Sequence, residues 1–242
     1  MNIVKLGGSI VNPNGKYDDA AIKGFIDVVK KSKEQFIFVV GGGKICRLIQ
    51  DCSQKHLATA LPSTLVDEAR DWLGIAVTHI NASYVREQFE HALGQEVYPE
   101  IILDPTQKLK SKAKVFIASG WKPGCSTDHD MMLLAETFSA SKVFKITNFP
   151  YVKNVSPVEL AESSEKEMKK RLEAAASLES LKWQELRNLV GEDWLPGLNT
   201  PFDPSAVEVG LNNKRIALYI GLKEEFFKAV QGKQFKGTVV SG

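Results

Sequence analysis

Five short runs of apolar, largely β-branched or aromatic residues punctuate the chain: "NIVKL" from Asn2, "QFIFVV" from Gln35, "KVFIAS" from Lys114, "KVFKIT" from Lys142 and "RIALYIG" from Arg215. They are apolar nearly throughout, which predicts strands buried on both faces. Between them the spacing changes to a helical one over "DDAAIKGFIDVVKKS", "KICRLIQDCSQKH", Thr64 to Leu93, "TDHDMMLLAETFSA", "DPSAVEVGLNN" and "KEEFFKAVQ", with Gly232 stopping the last helix before "FKGTVV". Strands alternating with helices predict an α/β fold, a three-layer αβα sandwich around a mainly parallel central sheet. The charged, Ala-rich stretch Glu159 to Lys182 reads as a solvated helix. Any boundary within the domain is expected near Pro150 to Pro157.

Composition narrows the function. The chain has 242 residues, of which 43% are hydrophobic, enough for a substantial core. Thirty-one basic residues against twenty-nine acidic ones leave a net charge of +2. No Lys/Arg block is interleaved with aromatics, which argues against nucleic acid as a partner. The apolar start of "MNIVKLGGSIV" is too short for a signal peptide, and no run has transmembrane length. Cys46, Cys52 and Cys125 have no CxxC spacing, and His56, His79, His91 and His129 complete no metal motif, so a reducing cytoplasm is the expected setting. Cys125 is expected as a buried or half-buried thiol rather than a nucleophile.

Three glycine-rich loops each follow a strand: "KLGGS" (Lys5 to Ser9), "GGGK" (Gly41 to Lys44) and "SGWKPGCSTD" (Ser119 to Asp128). At the carboxyl ends of parallel strands such loops meet, and that edge is where open α/β sheets bind ligands. Glycines let the backbone approach a phosphate closely, and helix N-termini supply N–H donors. Neither the Walker A spacing nor GxGxxG is present. In the third loop, Ser126 and Thr127 followed by Asp128 and Asp130 read equally as helix capping and as a ligand-facing junction. Lys5, at the end of a buried strand, requires an anionic partner: a transferring phosphoryl group, or a carboxylate such as Asp128 or Asp203.

The segments "VKLGGSI", "VVGGGKICR", "DWLGIAVTHINA", "GWKPGCSTDHDMMLLAE", "ITN", "FDPSA" and "FKGTVV" together resemble the amino-acid kinase superfamily, and within it the archaeal-type uridylate (UMP) kinases. The resemblance spans Lys5 to Val240. It implies one domain over residues 1–242, with an acceptor-binding part at about 1–150 and a nucleotide-binding part at about 151–242. It also implies transfer of phosphate from ATP to UMP with Mg²⁺, and a homohexamer. By resemblance, Lys5, Gly7, Gly8 and Ser9 lie at the ATP phosphates, with Gly43 and Arg47 on the same side and Thr147 beside adenine. Gly42, Asp71 and the loop Gly120, Trp121, Lys122, Pro123, Gly124, Cys125, Ser126 and Thr127 hold UMP. Asp128 resembles the aspartate that orients the lysine and phosphate, and Asp203 a second carboxylate near the nucleotide. Each also has a plainer reading: Asp203 before Pro204 is a helix cap, Arg47 a solvated helix residue, and Asp71 an exposed ion pair near Arg70 and Arg86.

The chain departs from the family pattern in two places. His79 stands where an arginine is usual, and in "TNFPYVKNVSP" the family's acid, glycine, tyrosine and second acid are Pro150, Tyr151, Lys153 and Ser156. The base side of the ATP site is therefore expected to be altered, with Lys153 as a substitute contact to phosphate or ring. Three functions follow: a UMP kinase working by direct in-line transfer, a kinase of another small phosphate or carboxylate, or a nucleotide- or oxyanion-binding protein that has lost turnover. The first needs no general base, because a phosphate acceptor is already an ionised nucleophile.

Overall fold

The computed structural model describes residues 1–161, 163–192 and 200–242. Along the chain run β1 (Asn2–Leu6), α1 (Gly8–Val11), α2 (Asp19–Lys31), β2 (Phe36–Val40), α3 (Gly43–Ala60), α4 (Ser63–Leu93), β3 (Val97–Ile102), β4 (Val115–Ala118), α5 (Thr127–Thr137) and β5 (Lys142–Ile146). The second part contains β6 (Val152–Lys153), α6 (Pro157–Ala161), α7 (Glu165–Ala174), β7 (Ser177–Leu178), β8 (Ser180–Lys182), α8 (Trp183–Val190), α9 (Pro204–Asn212), β9 (Ala217–Gly221), α10 (Lys223–Val230) and β10 (Thr238–Ser241).

Eight strands form one sheet in the order β3-β4-β2-β1-β5-β9-β10-β8, and β6 pairs with β7 in a small ribbon. Every neighbouring pair in the large sheet is parallel except β9 with β10. The five apolar runs are its β1, β2, β4, β5 and β9. Their successive side chains enter opposite faces: Ile3, Ile37, Val39 and Val143 pack with α5, α8 and α9, whereas Val4, Phe36, Phe38 and Phe144 pack with α2, α4 and α10. Two separate apolar clusters result, one on each side of the sheet, which is the three-layer sandwich expected.

The charged stretch 159–182 is not one solvated helix. Within its described part, α6 and α7 are followed by the short strands β7 and β8. Helix α7 has a capping box, with the Ser164 hydroxyl accepting from Glu167 N–H and the Glu167 carboxylate accepting from Ser164 N–H. Leu178 and Leu181, among few apolar residues there, pack onto the sheet's core and pull the following chain into strands. Composition favoured helix, and tertiary contacts overrode it. Two further strands carried no clear pattern: β3, "VYPEII", is interrupted by Pro99 and Glu100, and β10 is four residues long.

Candidate active site

Strands β1, β2, β4 and β5 deliver their loops to one edge of the sheet. At the first two turns the backbones nearly touch: a Cβ on Gly8 would lie 1.8 Å from the Gly43 Cα, and Gly43 has φ +67. Only glycine at both positions permits this approach. The turn is held from α4. Asn81 Nδ2 donates to the carbonyls of Gly41 and Gly42, at 2.9 and 3.1 Å, and its Oδ1 accepts from Asn12 Nδ2 at 3.1 Å and from the Tyr17 hydroxyl at 3.0 Å.

Behind the turns lies a charged cluster. Lys5 and Lys145 are direct register partners on β1 and β5, so two ammonium groups leave the sheet side by side on the face covered by α5. Like charges at such positions repel. Asp128, in the first turn of α5, relieves this by accepting from Lys5 Nζ at 2.5 Å through Oδ1 and from Lys145 Nζ at 2.7 Å through Oδ2. Burial alone would raise the Asp128 pKa, but Lys145 and Lys5 override it and hold the carboxyl at about 2. Burial lowers the pKa of Lys145, opposed mainly by Asp128. Two lysines against one carboxylate leave an uncompensated positive charge.

The third loop is anchored at both ends. At its entry, Gly120 N–H donates to Thr78 Oγ1 at 2.9 Å and His79 Nε2 donates to the Gly120 carbonyl at 3.1 Å, while Trp121 N–H reaches Asp130 Oδ2 at 3.3 Å. At its tip, Gly124 N–H donates to Asp71 Oδ2 at 2.9 Å. Asp71 is thus tied to the loop rather than to Arg70 or Arg86, whose partners are Asp67 and Glu87 with Glu90. At the exit, Ser126 caps α5 by accepting from His129 N–H at 3.2 Å.

Two pockets flank this arrangement. The larger, about 760 Å³, is lined by Lys5, Gly7, Gly8, Ser9, Gly42, Gly43, Arg47, Thr127, Lys145 and Thr147, with Phe149 and Pro201 among the others. The smaller, about 230 Å³, is lined by Gly42, Asp71, Thr78, Gly120, Lys122, Gly124, Cys125, Ser126 and Thr127, with Cys46 and Gln50. Gly42 and Thr127 border both. These residues stand at the N-termini of α3 and α5, so two helix dipoles and their free N–H groups converge where the pockets meet.

Of the site residues implied by the resemblance, Trp121, Pro123, Asp128 and Asp203 line neither pocket. Asp128 lies beneath the surface, joining the two lysines. Trp121 carries the Lys122 ammonium 3.9 Å from its ring centroid. Asp203 caps α9, its Oδ1 accepting from Ser205 N–H at 2.7 Å and from the Ser205 hydroxyl at 2.6 Å, and Ser205 Oγ accepts in turn from His129 Nδ1 at 3.0 Å. Cys125 is half-buried and its pKa is raised by burial, which suits a quiet thiol. Lys153 lines neither pocket and donates to the Ala175 carbonyl and Ser177 Oγ, both at 3.1 Å. It is therefore not the substitute contact expected.

Sequence reasoning passed over Lys145, Asn81 and Thr78. Lys145 carried the signal already used for Lys5, a lysine inside an apolar strand one residue before its last apolar position. The other two looked like ordinary polar residues on one long helix.

Backbone donors where two pockets meet, and a cation pair in the wall of the larger one, suit one class of protein, a small-molecule kinase that moves a phosphoryl group between two bound partners. The chain belongs to the amino acid kinase family, whose model matches residues 1–221. It is 29% identical over 247 residues to the uridylate kinase of Pyrococcus abyssi, covering 99% of both chains. It is 31% identical over 161 residues to that of Thermococcus kodakarensis, covering 65% of this chain and 67% of that one. The crystal structure of uridylate kinase from Archaeoglobus fulgidus superposes with a TM-score of 0.73 at 25% identity, covering 99% of both chains.

Proposed function

We propose that this chain is a uridylate kinase, transferring the γ-phosphoryl group of ATP to UMP to give ADP and UDP. The observation that carries the reading is the pair of unequal pockets meeting at Gly42 and Thr127, with Lys5 and Lys145 in the wall of the larger one and Asp128 beneath them. ATP takes the larger pocket, its β- and γ-phosphates against Lys5, Gly7, Gly8 and Ser9, with Gly43 and Arg47 nearby and Thr147 toward the base. UMP takes the smaller one, held by Asp71 and the loop 120–127, its phosphate between the N-termini of α3 and α5. On this reading acceptor binding rests on about residues 1–150, and residues from about 151 onward complete the nucleotide side.

An oxygen of the UMP phosphate attacks the γ-phosphorus in line as the bond to the β–γ bridging oxygen breaks, and ADP leaves with that electron pair. The UMP phosphate needs no base. Catalysis is positioning plus charge stabilisation by Lys5 and Lys145, which Asp128 holds at fixed separation. Mg²⁺ accompanying ATP would neutralise charge on the transferring phosphate beside Lys5 and Lys145. The three unpaired cysteines support a cytoplasmic setting.

A coupled ADP-release assay with UMP, CMP, GMP and AMP tests the reading. Turnover preferring UMP is the expected result. ADP release with none of the four, in a protein that still binds ATP, sinks it.

A further inference from the structure

Asp130 has no part in the transfer just described, yet its setting is unusual. It is fully buried two residues beyond Asp128 on α5, where an ionised carboxylate is costly. Oδ2 accepts only the 3.3 Å bond from Trp121 N–H, and Oδ1, also buried, has no partner among the described residues. A carboxylate normally gathers two or more donors when buried.

The charged and titratable groups around it are Lys5 on β1, Lys145 on β5 beyond Asp128, Asp128 on its own helix, Asp203 ahead of α9, and Cys125 in the loop. Strand β2, which also packs on α5, contributes no charged residue, and on α9 Glu208 is paired with Arg187. Two carboxylates and one ammonium act on it directly. Burial dominates and, against the weaker pull of the Trp121 N–H and Lys5, pushes the carboxyl up to about 7.

We propose that Asp130 is a positioning residue: as a neutral acid it anchors the entry of the acceptor loop through Trp121 while leaving the positive charge of Lys5 and Lys145 available to phosphates. An ionised Asp130 would keep the anchor and cancel that charge, so one proton on this side chain sets how strongly the junction attracts anions. The inference deepens the kinase reading and rests on it for the role of the loop. The charge effect applies to any phosphate ligand at the junction.

The test is calorimetric titration of MgATP from pH 6 to pH 8.5 with the intact protein and with Asp130→Asn, which retains an acceptor for Trp121 N–H but does not ionise. Ionisation of ATP itself is common to both proteins, so their difference isolates Asp130. Wild-type affinity is expected to fall relative to the variant by on the order of tenfold over this range. Parallel profiles overturn the proposal. If that variant does not fold, Asp130→Ser takes its place, and parallel profiles overturn the proposal in the same way. UMP turnover is followed in the same samples. Its absence from both proteins counts against the uridylate kinase reading alone, since MgATP binding still judges Asp130.

Discussion

Lys145 and Lys5 stand in nearly the same geometry on neighbouring strands. Each ends a buried strand, and each reaches the same aspartate at 2.5 or 2.7 Å. Lys145→Met is therefore expected to cut turnover by roughly 10² to 10³, as loss of one preorganised charge usually does, and Lys5→Met by a similar factor. Steady-state kinetics checks both, with circular dichroism to show that folding survives; near wild-type turnover in either variant removes that lysine from the mechanism. Lys5 was legible because a glycine turn follows it and demands an explanation. Lys145 was not, because "KITN" has no such turn and its significance comes from register with β1, a relation across 140 residues of chain. Asp128 was recognisable both as a first-turn carboxylate and as a ligand-facing group. Asp203 fits its plainer reading, a helix cap, with proline at the first helical position.

At the scale of elements, α4 is the organising part. Within three turns it supplies Asp71 to the tip of the loop 120–127, Thr78 and His79 to its entry, and Asn81 to the glycine turn. Different substitutions along this helix should thus separate by substrate. Asp71→Asn is expected to raise KM for UMP far more than KM for ATP, because Asp71 borders only the smaller pocket. Asn81→Ala is expected to raise both, since Gly41 and Gly42 lose their anchor, and to lower stability by about 1 to 3 kcal/mol through unpaired buried groups. Varying each substrate in turn, with a urea titration for the second variant, measures these effects; equal KM changes in Asp71→Asn contradict its acceptor role. The helix itself was readable from Thr64 to Leu93, but not which polar residues face the loops. Sequence periodicity identifies a helix's apolar face, whereas the partners of its polar groups depend on where distant turns arrive.

For the whole molecule, the two aspartates of α5 oppose each other in their pH dependence. Asp128, with its folded pKa lowered to about 2, contributes stability that is present above its unfolded value near 4 and lost as pH falls toward 2. Asp130, raised to about 7, acts in reverse: the folded state holds its proton longer, so stability is lost as pH rises from about 4 to 7. The two terms are on the order of 2 and 4 kcal/mol. Asp130→Asn is expected to abolish the second decline and be the more stable protein at pH 8, which urea unfolding at pH 5, 6.5 and 8 would show; an unchanged slope counts against a protonated Asp130. The surface makes a separate prediction. Leu48, Ile49, Trp72 and Ile80 are exposed on α3 and α4, and α3 buries no residue at all. Such apolar exposure supports self-association, and light scattering behind a sizing column should report an oligomer, the hexamer being the form the family resemblance implies. A monomer at micromolar concentration would refute it.

Strand order also bears on how the molecule is made. The strand latest in sequence, β10, does not sit at the rim of the sheet but between β9 and β8, and Thr238 at its start accepts from the Val152 N–H while donating to the Leu178 carbonyl. During synthesis β1, β2, β4 and β5 can pair as they emerge, whereas β8 has nothing to pair with until residues some sixty positions later have left the ribosome. The second edge of β9 waits unpaired for the shorter interval before β10 is made. The edge that carries the glycine loops can therefore form before β10 is made, while the opposite flank closes only with that strand.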